Sequence, residues 1–196
     1  MKVALCLRLL GFGRVFRSGQ AGWPRQDAKG SFLTIVSSLF LHGGFVHLFG
    51  NMIYLWTFGD AVEDIFGHPR YFLFFIACGV VGSLAHTVVF PLSTIPSIGA
   101  SGSIAGILGA FLVLRPRARI VTLFPLIIYW AMAEIPAALF LPVWFLMQFF
   151  NGFASLAAAR GTEEVAGVAW WAHVGGFLFG AVVAGVVRWR GRETLR

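Results

Sequence analysis

From Phe32 onward the chain is a succession of long apolar runs separated by short polar breaks. A helix that crosses a bilayer needs about 20 consecutive, mostly apolar residues. The pattern therefore predicts five spans, at about residues 45–62, 71–90, 98–114, 136–157 and 170–189. Between the third and fourth, residues 120–133 are also apolar. That stretch is short for a span and predicts an interfacial or re-entrant piece. Glu134 and Pro136 separate it from the next helix. Residues 1–30 differ: Lys2, Arg8, Arg14, Arg17, Arg25 and Lys29 face a single acid, Asp27, and glycine is frequent. No run there is long enough to cross a bilayer, so it is read as a basic interfacial or loop segment. Residues 31–190 then form one membrane domain, and residues 191–196 a cytoplasmic tail.

Composition sharpens this reading. The 196 residues are 58% hydrophobic before 24 glycines are counted, and 12% charged, against about 25% charged in a soluble domain. Mean hydropathy is +0.82. A soluble globular domain, a disordered chain and a coiled coil are excluded. An all-α polytopic membrane protein is left, with no room for a second soluble domain.

The net charge of +7 is not a nucleic-acid signal, because the basic residues cluster between apolar runs. By the positive-inside rule, Arg70 beside His68, then Arg115, Arg117 and Arg119, then Arg188, Arg190, Arg192 and Arg196 mark the cytoplasmic side. Residues 91–97 carry no charge, and Glu163 and Glu164 follow Arg160, so those loops face the other side. The basic N-terminus conflicts with this assignment unless one more helix precedes residue 1 in an ancestral or full-length form. Cys6 and Cys78 lie far apart in apolar surroundings; a disulfide is not expected, and Cys78 reads as a buried inert thiol. Residues 3–10 are interrupted by Arg8 and do not read as a cleavable signal.

Polar side chains inside such a chain are costly and point to function. Gly99-Ala100-Ser101-Gly102 opens the third span. There Ser101 would sit where free N–H groups and the helix dipole favour an oxyanion. The alternative is a helix cap flanked by packing glycines. His173 lies near the start of the fifth span, and Gly176, Gly180 and Ala184 follow as a small-residue stripe. Gly102, Gly106 and Ala110 make a matching face on the third span. If the two faces pack, Ser101 and His173 meet at the same end, as nucleophile and general base. Alone, His173 reads equally as a packing histidine. His47 and Asn51 are four apart and share a helix face, and both are usual oxyanion donors. His42 precedes them across two glycines and would organise the site. Metal binding or polar packing is the alternative; zinc is disfavoured by the absence of nearby cysteine and of an H-E-x-x-H motif. Asp60 has no intramembrane aspartate partner, so an aspartyl protease is disfavoured. A transporter would predict internal repeats, and none is visible.

On these residues the chain resembles the rhomboid family of intramembrane serine proteases, over about residues 38–187. The resemblance rests on H-x-x-x-x-H-x-x-x-N at His42, His47 and Asn51, G-x-S-G at Gly99 to Gly102, and A-H-x-x-G at Ala172 to Gly176. It implies a Ser–His dyad, with Ser101 as nucleophile and His173 as base, and no third acidic member. It also implies an oxyanion hole from the Ser101 N–H with His47 and Asn51. Glu63 resembles the family's end of that helix and is read as structural. The implied substrates are transmembrane or membrane-proximal segments of other proteins, cut without a cofactor or metal. The expected location is a bacterial cytoplasmic (inner) membrane, with the site facing the non-cytoplasmic side. Trp144, Phe145, Phe149 and Phe150 on the fourth span are candidates for a lateral gate, or equally for bulky packing.

Two departures from the family pattern are visible. The family's first span is missing or degenerate here, and the loop usual before the His–Asn helix is reduced to Trp23-Pro24-Arg25. A chain truncated at its start is one expectation, a shortened version of that region the other. The competing function is a non-catalytic rhomboid-like protein that binds membrane helices. Retention of both Ser101 and His173 argues against it, and a missing first helix argues for it.

Overall fold

The computed structural model describes residues 28–91, 93, 97–126, 129–159 and 167–193. Most of the segment 1–30, with Trp23 and Cys6, lies outside the described residues, as do Glu163, Glu164 and the last residues of the tail. The chain divides into two compact units, Met1–Leu33 and Thr34–Arg196. Of the first, only the opening of helix α1 (Ala28–Ser38) is described. The second holds the rest of α1 and every later element.

After α1 come α2 (Phe45–Phe66), α3 (His68–Val89) and α4 (Ser101–Leu114). A hairpin follows, β1 (Arg119–Leu126) with β2 (Tyr129–Pro136), then α5 (Ala137–Ala158) and α6 (Trp170–Glu193). The five predicted spans correspond to α2 through α6, and the architecture is the expected helical membrane bundle. Helices α3 and α5, and Trp170–Arg190 of α6, are long and apolar enough to cross a membrane. Helix α2 has 22 residues but carries Asp60, Glu63 and Asp64 near its end. Its lipid-type residues stand outward: Phe45, Val46, Phe49 and Trp56 are all highly exposed. Helix α6 continues to Glu193, into the stretch read as the tail.

Helix α4 is the axis of the bundle. Every residue from Gly102 to Phe111 is buried, enclosed by α2, α3, α5 and α6. Lipid tails are as apolar as leucine, so burial alone does not hold such helices together; close packing of small residues does. A Cβ on Gly180 would run into the Gly106 carbonyl, one on Gly176 into the Gly102 carbonyl, and one on Gly109 into the Phe177 carbonyl. Backbone thus meets backbone along the two stripes predicted to pack, and Ala110 and Ala184 are fully buried beyond them. Helix α3 closes in the same way, since a Cβ on Gly82 would meet the Ala172 carbonyl. Cys78 is a buried free thiol packed against Gly106, as expected.

The apolar stretch 120–133 is a two-stranded antiparallel hairpin, an addition to the helical design. Its register pairs Arg119 with Pro136, Val121 with Glu134 and Leu126 with Tyr129. Val, Thr, Ile and aromatic residues favour this geometry. It is tied to the bundle where the Ala137 N–H donates to the Ala118 carbonyl at 2.8 Å. Glu134 approaches Arg119 at 3.8 Å on the exposed surface.

Candidate active site

Three helix starts converge at one end of the bundle. Ser101 is the first residue of α4, delivered by a turn in which Gly99 has φ +117°. L-residues with a Cβ rarely adopt that conformation. Space forbids a side chain there as well, because a Cβ on Gly99 would lie 2.8 Å from the His47 ring. The Gly99 N–H donates to the Ser38 carbonyl at 3.0 Å, which anchors the turn to α1. The first turn of α4 presents N–H groups that have no carbonyl partner within the helix.

His173 enters from α6 and is buried. Its Nε2 lies 2.8 Å from Ser101 Oγ. Its Nδ1 lies 2.9 Å from Gln148 Oε1 on α5. Trp144 and Trp170 flank its ring at centroid distances of 6.1 and 6.2 Å. Sequence reasoning passes over Gln148. Its only signal is a lone amide within the apolar run Trp144 to Phe150, where the aromatic residues dominate the pattern.

His47 and Asn51, one turn apart on α2, line the same cavity as Ser101 and His173. Its volume is about 260 Å³, and Gly50, Tyr54, Ile104, Trp144, Gln148 and Val168 are also in its wall. Asn51 is buried, and its Nδ2 has no hydrogen-bond partner among the described residues. His47 Nδ1 faces the Gly43 N–H at 3.4 Å, and its other ring edge abuts Gly99. His42 stands outside the cavity wall, edge-on to His47 with ring centroids 5.2 Å apart. Burial holds His42 below the ordinary histidine range, with His47 the next cause. Gly102 lies under α6, within 3.5 Å of the Ala172 carbonyl for an added Cβ. Glu63 is remote from the cavity and pairs with His68 at 2.6 Å across the α2–α3 turn.

Of the candidate gate residues, Trp144 lines the cavity. Phe145 packs on Phe177, and Phe149 packs on Trp171. Phe150 is 65% exposed. Arg115 and Arg119 lie at the opposite end of α4 from Ser101. Arg188 joins them there, donating to the Val113 carbonyl at 2.6 Å. Among the described residues there is no group of three or more His, Cys, Asp or Glu side chains able to hold a metal ion.

A helical membrane bundle with a serine hydroxyl on a buried imidazole defines a class of protein, and comparison agrees. A family model described as the rhomboid domain matches residues 29–190. The chain belongs to the rhomboid family. It is 42% identical over 85 residues to Rhomboid protease GluP of Bacillus subtilis, covering 43% of this chain and 16% of that protein. It is 31% identical over 98 residues to Putative rhomboid protease YdcA of the same organism, covering 50% and 49%. It is 30% identical over 175 residues to Presenilin-associated rhomboid-like protein A, mitochondrial, of Danio rerio, covering 86% and 42%. The matches span less than half the length of each of these relatives.

Proposed function

We propose that this protein is an intramembrane serine protease that cuts transmembrane or membrane-proximal segments of other membrane proteins. The observation that carries the reading is the 2.8 Å contact between Ser101 Oγ and His173 Nε2 on a cavity shared with His47 and Asn51. In this reading Ser101 attacks a peptide carbonyl while His173 takes its proton. The oxyanion is held by the Ser101 N–H with the His47 and Asn51 side chains. His173 then protonates the leaving amine, and water hydrolyses the acyl-enzyme. The cavity is large enough for several waters. Helix length supports a site set below the membrane surface. At 1.5 Å per residue a 14-residue helix is about 21 Å long, against roughly 30 Å of hydrocarbon. With the Arg115 end of α4 held at the cytoplasmic interface, Ser101 would lie below the opposite membrane surface. No cofactor or metal is required.

Positive charge gathers at the end away from the dyad, which supports a site facing the non-cytoplasmic side. The membrane is proposed to be a bacterial cytoplasmic one, although several relatives are named as mitochondrial. The domain boundaries at residues 31–190 are proposed with it.

A fluorophosphonate probe tests the nucleophile directly. It should label the detergent-solubilised protein at Ser101, as read by peptide mass spectrometry. A folded protein that stays unlabelled sinks the protease reading and favours a non-catalytic, helix-binding one.

Asn51 carries a second test. A buried amide donor without a partner costs free energy unless a ligand uses it. Asn51→Ala should lower kcat by about 100- to 1000-fold, the range for loss of one oxyanion donor, with little change in melting temperature. Unchanged turnover on a reporter substrate would give Asn51 a packing role.

A further inference from the structure

We propose that Gln148 is a positioning residue that fixes the tautomer and the orientation of His173. The inference rests on the protease reading above and adds a residue to it. Gln148 is buried at 6% exposure, on a helix otherwise apolar at that depth. An amide there costs free energy unless both its ends are used. Both ends are used. Its Nε2 donates to the Trp144 carbonyl at 3.3 Å, and its Oε1 meets His173 Nδ1 at 2.9 Å.

The Trp144 carbonyl only accepts, so the end of the amide facing it must be the NH2. The end facing His173 is then the oxygen, which also only accepts. His173 Nδ1 must therefore carry the proton, and Nε2 keeps its lone pair for the Ser101 hydroxyl. A neutral amide thus does the orienting and adds no charge beside the imidazole. The other titratable side chains that act on His173 are His47 from α2 and His86 from α3. The polar contact at its Nδ1 is the one with Gln148 Oε1.

The experiment pairs Gln148→Met with Gln148→Glu in the full chain. Methionine keeps the volume and removes the acceptor. With it kcat on a reporter substrate should fall by about 10- to 100-fold, a part of what a general base supplies, while KM and melting temperature hold. Glutamate restores an acceptor and adds a charge that favours the imidazolium. It should recover much of the turnover, with the acid limb of the pH–rate profile moved to higher pH. Nitrogen-15 NMR of the imidazoles, assigned by His173→Ala, should show Nδ1 protonated and Nε2 bare in the unsubstituted protein at neutral pH.

Two results would overturn the proposal: a bare Nδ1 in the unsubstituted protein, or Gln148→Met with unchanged kcat and pH profile. The tautomer is read without turnover. Failure of the probe to label Ser101 would sink the protease reading and is told apart from either result.

Discussion

Ser101→Ala is expected to abolish cleavage of a reporter membrane protein in liposomes and to leave the bundle folded. The change deletes one oxygen. In the proposed mechanism that oxygen is the attacking atom, so water must act unaided, and kcat falls by at least about 10⁴-fold. The structural cost is small. Ser101 is half-buried at the first position of α4, and the side-chain bond removed is the one to His173 Nε2. Loss of one such bond costs about 1 kcal/mol, a shift of a few degrees in melting temperature. Retained cleavage in a verified Ser101→Ala preparation would place the nucleophile elsewhere.

The largest structural effect is expected from a single methyl group. Gly180→Ala puts a Cβ into the Gly106 carbonyl. Neither partner is a flexible side chain, so relief requires α4 and α6 to move apart along their whole seam. Overpacking of this kind costs about 1–3 kcal/mol, and more where backbone cannot yield; the upper end or beyond is expected here. Because Ser101 and His173 stand on the two separated helices, their 2.8 Å contact opens and activity is lost together with stability. Gly185→Ala is the control. The same change further along α6 meets nothing within 4 Å. There alanine's better helix propensity makes the change neutral or slightly stabilising. Thermal melting in detergent, with cleavage read alongside, compares the two. Equal melting temperatures would remove the close-packed seam from the account.

Much of this fold is legible in the sequence because membranes impose strong rules. Spans must be apolar and helical, so the five runs map onto α2 through α6 with ends displaced by a few residues. Two small-residue stripes, Gly102–Gly106–Ala110 and Gly176–Gly180–Ala184, name a packing partner for each other. That pairing alone brings Ser101 and His173 into register. The hairpin is not legible. Its apolar content matches a membrane piece, and periodicity does not separate strand from helix in a short apolar run. Gln148 escapes for a different reason: an isolated amide has no spacing pattern, and its partner lies 25 residues away on another helix. The approach of α1 to the site, through the Ser38 carbonyl and the Gly99 N–H, is a backbone contact and leaves no mark on side-chain chemistry.

The bare seam between α4 and α6 also decides where this protein has freedom to change. Along it the spacing of the two backbones that carry Ser101 and His173 is set by peptide groups, which do not hop between rotamers as side chains do. The Ser101–His173 pair is therefore mounted on a close-set backbone, and selection has little to vary there beyond glycine and alanine. In the proposed protease, adaptation to a new substrate would instead be written on the opposite wall, where side chains exist to be exchanged: Val46 and Tyr54 on α2, and Trp144 on α5.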